Sequence, residues 1–218
     1  MNPAMPCAKL PCRAFLITNH APEQIVSGYD NITEEDHVIA VDNGLQRIHS
    51  LGLCPHAIIG DLDSVDANLL QNYSNVKCLK YPNEKNETDT ELALQWCLQQ
   101  NIYDEIIICN DLQGRFDHAL AILQNLLLAS GVKLCIESER QIVFLLPDNL
   151  EICNRKGQLL SIIPLTQEVR LLSSEGLKYP LNGLCLGQSQ SRGISNEITA
   201  SAAGICKADG EALVIITV

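Results

Sequence analysis

The chain has 218 residues, 46% of them hydrophobic, which supplies core for one large or two modest domains. Its formal net charge of -11 excludes a broad basic surface of the kind that binds nucleic acid or anionic membrane. No apolar run of about 18 residues occurs, and Met1 to Arg13 lacks a signal-peptide core, so the expectation is a cytoplasmic protein without a membrane partner.

The ten cysteines (Cys7, Cys12, Cys54, Cys78, Cys97, Cys109, Cys135, Cys153, Cys185 and Cys206) are scattered singly with no CxxC pair. Most lie in apolar runs, where a cysteine acts as a small buried hydrophobe, and a disulfide framework is not expected.

From Arg13 to Glu137 short β-rich runs alternate with longer helical patterns, the signature of a parallel sheet with crossover helices. Strands are predicted at Ala14 to Thr18, His37 to Val41, Ala57 to Gly60, Val76 to Tyr81, Glu105 to Cys109 and Lys133 to Ile136. Helices are predicted near Glu23 to Tyr29, Gly44 to Leu51, Asp66 to Tyr73, Asp89 to Gln100 and Phe116 to Ala129. Thr88 and Glu91 form a T-x-x-E capping box, and Phe116, Ala119, Leu120, Leu123, Leu126 and Leu127 recur at helical spacing.

After Glu139 the texture changes to short strands between turn signals: Gln141 to Leu146, Leu150 to Cys153, Leu159 to Ile163, Val169 to Leu172, Glu197 to Ala202 and Ala212 to Val218. The turns are placed at Pro147-Asp148-Asn149, Arg155-Lys156-Gly157 and Ala208-Asp209-Gly210. The expectation is an α/β domain over 1–139, Rossmann-like with helices on both faces of a mostly parallel sheet, followed by an all-β sandwich domain over 140–218.

Three polar clusters stand where apolar runs end. Gly60-Asp61-Leu62-Asp63-Ser64 leaves the carboxyl end of a buried strand, where open α/β sheets bind ligands. In an extended segment Asp61 and Asp63 face one way and can share a cation, though Asp63-Ser64 equally suits a cap for the helix near Asp66. Asn86-Glu87-Thr88-Asp89 opens the next helix, where a carboxylate is favourable for the dipole whatever its function. Gly114-Arg115-Phe116-Asp117-His118 opens another, and its free N–H groups with Arg115 make an anion site. His118 is either a general base or a hydrogen-bonding group. Asp42-Asn43-Gly44 after the second strand is a fourth candidate, equally readable as a turn. Four strand ends carrying carboxylates or arginine at one sheet edge point to a Mg²⁺-dependent enzyme of nucleotides or other polyphosphates, without a Walker A or G-x-G-x-x-G sequence.

These clusters, in this order, resemble the thiamine pyrophosphokinase family. Val41-Asp42-Asn43-Gly44 is similar to that family's A-D-G-G, Gly60 to Ser64 to its G-D-x-D-S, Glu84 to Asp89 to its D-x-D-x-T-D, and Gly114 to His118 to its G-R-x-D-H. Gly176-Leu177-Lys178-Tyr179-Pro180-Leu181 and Ser195-Asn196-Glu197 resemble its G-L-K-[YW]-x-L and S-N-E. The resemblance implies transfer of pyrophosphate from ATP to thiamine in a homodimer, with thiamine between subunits. It implies Asp61, Asp63 and Asp89 as Mg²⁺ and catalytic residues together with Arg115 and Asp117. It places Asp42, Gly44, Ser64, Lys85, Thr88, Arg115 and His118 at the nucleotide, and Ser174, Leu177, Tyr179 and Asn196 at thiamine, with Tyr179 stacked on the aminopyrimidine.

The chain departs from the family pattern at Asn43, Asn110 and Gln113, where glycines are usual, and at Glu84 and Asn86, where aspartates are usual. Asn86 removes one negative charge beside the metal cluster. Three alternatives remain open on the sequence: a pyrophosphokinase for another hydroxymethyl heterocycle such as a pterin, a non-catalytic nucleotide-binding module, and a metal-dependent phosphohydrolase.

Overall fold

The computed structural model describes residues 12–128 and 131–218. The expectations for the first eleven positions, including Cys7, and for the helix end at Ala129 lie outside the described residues.

The first half is a parallel sheet of β1 (Arg13–Ile17), β2 (His37–Val41), β3 (Ala57–Gly60), β4 (Lys77–Lys80), β5 (Glu105–Cys109) and β6 (Lys133–Glu137), in spatial order β6-β5-β1-β2-β3-β4. Each follows its predicted run to within one residue at either end. Between them lie α1 (Gly44–Ser50), α2 (Ala67–Asn72), α3 (Asp89–Gln100) and α4 (Phe116–Asn125), which tightens into a 3-10 turn at Leu126–Leu128.

Successive strand residues point to opposite faces. Ala14, Leu16, Ile39 and Ile59 pack beneath Ala93, Leu94 and Cys97 of α3 and Ile122 of α4. Phe15, Ile17, Val38, Ala40 and Ile58 meet Leu45 and Ile48 of α1 and Leu69 of α2 on the other side. Burial on both faces explains why these strands read as unbroken apolar runs. Lys77 and Lys80 blunt the exposed edge strand β4.

The second half contributes β7 (Gln141–Leu145), β8 (Asn149–Cys153), β9 (Leu159–Pro164), β10 (Glu168–Glu175), β11 (Cys185–Gly187), β12 (Asn196–Glu197), β13 (Ala202–Asp209) and β14 (Ala212–Thr217). β7 pairs antiparallel with β6, and β14, β9 and β12 follow, extending the first sheet to ten strands. β11-β10-β13-β8 form a separate four-stranded sheet. Leu150, Ile152, Val169, Leu171 and Ile205 of this sheet share a core with Leu160, Ile162, Val214 and Ile216 of the extension. The sandwich therefore has one leaf of its own and one continuous with the α/β sheet.

Three local expectations are corrected. No helix forms at Glu23 to Tyr29, where a 3-10 turn spans only Tyr29–Asn31. The segment's N–H groups turn outward instead: Val26 donates to the Ser138 carbonyl (3.0 Å) and Ser27 to Glu137 Oε2 (2.9 Å), and Gly28 has a φ of 78°. The strand expected at Glu197 to Ala202 is the two-residue β12, and the long strand β13 begins at Ala202 and runs through Asp209, into the expected turn. β11 has no counterpart among the expected strands.

At the amino end of the sheet, Asp36 has a side chain only 1% exposed and is held by Arg13 Nε (2.8 Å) and Nη2 (2.6 Å) and by the Thr33 N–H (2.8 Å). Burial works to raise its pKa, but the bonds from Arg13 and Thr33 outweigh it and hold the carboxyl below its usual value. A depressed folded pKa contributes stability above the unfolded value of about 3.9, lost as pH falls through the folded one. Asp36→Asn is expected to cost about 2 kcal/mol at neutral pH, less than a wholly buried pair because Arg13 keeps contact with water. Chemical denaturation at pH 7 and pH 3 checks it, since the difference from wild type must shrink at the lower pH.

Candidate active site

The carboxyl ends of β1 to β5 open into one cleft of ≈ 500 Å³. Parallel pairing sets it: Val41 lies beside Ile59, and Gly60 beside Lys80, so the loops after β2, β3 and β4 leave the sheet together.

Asp42, the first residue after β2, adopts a φ of 50° and donates its N–H to the Ile59 carbonyl (2.8 Å). This turn brings its carboxylate beside those of Asp61 and Asp63, with oxygens of all three within 4.8 Å of one another. Asp61 and Asp63 do not share a face of an extended segment. Leu62 between them has a φ of 61° with its side chain buried, and Asp61 Oδ1 accepts the Asp63 N–H (3.2 Å) in a tight turn. Ser64 Oγ donates to Asp42 Oδ2 (2.8 Å), and Asn83 Nδ2 to Asp63 Oδ2 (2.9 Å).

The charges of this group are unbalanced. The negative charge of Asp61 pushes the Asp63 pKa up, whereas the bond from the Asp63 N–H, aided by Lys85, draws that of Asp61 down. Lys85 Nζ sits between Asp61 Oδ2 (3.3 Å) and Asp89 Oδ1 (3.2 Å). Its desolvation is outweighed by the two carboxylates, and its pKa rises; burial raises that of Asp89. Asp42 Oδ1 is buried and has no hydrogen-bond partner. An orphaned carboxylate oxygen beside two further carboxylates is the donor set of a hard divalent cation that completes its shell with water and phosphate. The residues present thus fit Mg²⁺.

Asp89 is the first residue of α3, whose cap Thr88 accepts the Glu91 N–H (3.2 Å). Glu91 does not return the bond; its carboxylate accepts from Gln95 (3.0 Å). Arg115 caps α4 by position and forms a two-pronged pair with Asp117, at 3.2 and 2.7 Å. That bond holds the Asp117 pKa down at about 2. Arg115 is 72% exposed, and Arg115, His118, Lys85, Asn86 and Thr88 all line the cleft. Gly44 does not line it. It is buried where α1 meets β1, and a Cβ there would lie 1.8 Å from the Ile17 carbonyl oxygen.

The cleft floor holds residues that strand-end reasoning passes over because β1 ends without a charge. Thr18 and Asn110, each 3% exposed, tie β1 to β5: Asn110 Nδ2 donates to Thr18 Oγ1 (2.8 Å), which donates to the Cys109 carbonyl (2.8 Å). Asn110 Oδ1 accepts the Leu112 N–H (2.6 Å), fixing the left-handed turn at Leu112 that leads to Arg115. The side chain at Asn110, where the resemblance would place glycine, thus braces the loop.

Ser174, Leu177, Tyr179 and Asn196 do not line this cleft. They form a second cluster on the sandwich. Asn196, buried, clamps Tyr179 by accepting its N–H (3.0 Å) and donating to its carbonyl (2.7 Å), and Ser174 Oγ accepts the Leu181 N–H (2.8 Å). Leu177 bridges to Ile198. Tyr179 is 59% exposed, with its backbone held by the two bonds to Asn196. Cys54, Cys78, Cys97, Cys109, Cys135, Cys153, Cys185 and Cys206 are free thiols, and among the described residues no helix is long and apolar enough to cross a membrane.

Comparison with known proteins identifies the family. The family model for the thiamin pyrophosphokinase catalytic domain matches residues 30–136, and that for the thiamin pyrophosphokinase vitamin B1 binding domain matches 147–206. Thiamine pyrophosphokinase of Bacillus subtilis is 30% identical over 189 residues, covering 83% of this chain and 87% of that protein. Thiamin pyrophosphokinase 1 of Caenorhabditis elegans is 29% identical over 198 residues, covering 84% and 80%. Among solved structures, thiamin pyrophosphokinase of Geobacillus thermodenitrificans superposes with a TM-score of 0.84 at 23% identity, over 94% of this chain and 97% of the other, a likeness of fold. By its sequence matches over both halves, the chain belongs to the thiamin pyrophosphokinase family.

Proposed function

We propose that this protein transfers the pyrophosphoryl group of ATP to the hydroxyl of thiamine, giving thiamine diphosphate and AMP. The observation that carries the reading is one cleft lined by Asp42, Asp61, Lys85 and Arg115, with the Asp63 carboxylate converging on those of Asp42 and Asp61. Family membership supplies the substrates. Asp42, Asp61 and Asp63, with Asp89 alongside, are assigned to hold Mg²⁺, which when bound neutralises charge on the transferred phosphates.

Lys85 and the N–H groups opening α4 are assigned to orient the phosphate oxygens. Arg115 exchanges Asp117 for phosphate, a cheap step because exposed ion pairs are weak. The substrate hydroxyl then attacks the β-phosphorus in line with the departing AMP, and positioning with electrostatics supplies the rate. We assign residues 1–139 to catalysis and 140–218 to thiamine binding and dimerisation, in a cytoplasmic homodimer whose partner brings its own second cluster to this cleft. Tyr179, exposed and clamped by Asn196, suits stacking on the thiamine ring.

The test is AMP formation from Mg-ATP with and without thiamine, with chromatographic detection of thiamine diphosphate. Thiamine-dependent AMP matched by thiamine diphosphate is expected. AMP or phosphate released without an acceptor would mark a hydrolase instead.

A further inference from the structure

The three carboxylates that converge at the cleft are not equally held. Asp42 and Asp61 are half-buried, whereas Asp63 is exposed. Ser64 Oγ donates to Asp42 Oδ2 (2.8 Å), Lys85 Nζ lies 3.3 Å from Asp61 Oδ2, and Asp61 Oδ1 takes the Asp63 N–H as well. Among the described residues, the only donor that reaches the Asp63 side chain is Asn83, whose Nδ2 stands 2.9 Å from Oδ2.

Three like charges with oxygens inside 4.8 Å of one another repel, and the strain is relieved most easily by the side chain with the most room. That side chain is Asp63. An exposed aspartate on a loop can change its χ1 well, and without a tether its carboxylate turns away into water.

Asn83 is fixed before it acts. At one end of the loop after β4 the Tyr81 N–H donates to the Gly60 carbonyl (2.9 Å), and at the other Lys85 Nζ reaches Asp61 and the Pro82 carbonyl (3.1 Å). Pro82, directly before Asn83, removes further backbone freedom. The loop after β4 is thus bound to the loop after β3 on both sides of Asn83, so little entropy is lost in placing its amide. An ionised carboxylate only accepts, which requires the amide to present its NH₂ group and not its oxygen.

We infer that Asn83 is a positioning residue for the divalent cation, holding the Asp63 carboxylate within reach of Asp42 and Asp61. This rests on the reading of the acidic trio as the Mg²⁺ site. Asn83 lies just before the Glu84-to-Asp89 stretch that carries the family resemblance, so the resemblance gives it no role. Asn86 takes one charge away from the same loop, which leaves cation affinity more dependent on the aim of the carboxylates that remain.

The experiment is Mn²⁺ binding to the full chain without nucleotide, followed by the electron paramagnetic resonance signal of the free ion. Asn83→Leu keeps the size of the side chain and removes the donor. It is expected to weaken Mn²⁺ about tenfold, the lower end of what a metal ligand loses with its hydrogen-bonding partner, because this bond is exposed. Asn83→Gln carries the same amide on a longer arm, for which the exposed position leaves room, and should bind Mn²⁺ within about threefold of wild type. Melting temperatures verify that both variants fold. Undiminished affinity in Asn83→Leu, or equal losses in the two variants, overturns the role of the amide while leaving the cation site and thiamine-dependent AMP formation standing. Wild-type protein that binds no Mn²⁺ overturns the cation reading and the positioning role together.

Discussion

Asp61→Asn is expected to lower turnover about a thousandfold or more while the protein remains folded. The substitution keeps the size of the side chain, and its amide oxygen still accepts the Asp63 N–H that shapes the turn. What disappears is the charge shared between the acidic trio and Lys85. With Asp61 neutral, the trio attracts a divalent cation less, and Lys85 keeps the Asp89 carboxylate and the Pro82 carbonyl but loses one of its two ion pairs. Mn²⁺ or Mg²⁺ binding measured without turnover should weaken in parallel. Asp66→Asn is the control, because Asp66 lies in the same loop but only caps α2, accepting the Asn68 N–H (2.7 Å). Asn is an equally good cap, and turnover should stay within about twofold of wild type. An Asp61→Asn enzyme with full activity would remove the cation from Asp61.

The parallel half of the fold is legible because its strands are buried on both faces and read as apolar runs ending in polar turns. Ile106, Ile107 and Ile108 of β5 are each nearly inaccessible, and a run this short and β-branched favours a covered strand over a buried helix. β13 is not legible. Ala202, Ala203 and Gly204 are poor strand formers, and what makes them a strand is their place between β8 and β10, with Ala203 and Ile205 turned into the sandwich core. The helix expected at Glu23 to Tyr29 fails for the converse reason: its N–H groups find partners on residues 137 and 138, far away in sequence.

The site divides in the same way. That Asp42, Asp61, Lys85, Asp89 and Arg115 gather at one edge follows from parallel topology alone, which the sequence pattern carries. Which carboxylates bring oxygens within ion-binding distance depends on two left-handed residues, Asp42 and Leu62; aspartate adopts that conformation more readily than most residues, but nothing in the sequence marks leucine for it. Thr18 and Asn110 escape a search by charge because a buried hydrogen-bonded brace has no charge signature.

Gly44→Ala is expected to cost about 4 kcal/mol, lowering the melting temperature by roughly 10 °C for a chain of this length. The resemblance puts Gly44 at the nucleotide, but it lies where the start of α1 presses on β1, and a Cβ would come 1.8 Å from the Ile17 carbonyl oxygen and 2.7 Å from its carbon. Those atoms belong to a central strand paired on both sides with β2 and β5, so they cannot yield, and α1 must lift away. Lifting α1 uncovers Leu45 and Ile48, both fully buried, and shifts Asp42 two residues upstream. Loss of stability should therefore come with weaker cation binding in the fraction that folds. Gly52→Ala separates crowding from backbone conformation: Gly52 has a φ of 68°, and no atom lies within 4 Å of where its Cβ would stand, so only the left-handed penalty of about 1 kcal/mol applies. Equal melting temperatures for Gly44→Ala and wild type would mean that α1 can slide along the sheet, and that the contact with Ile17 does not set the position of Asp42.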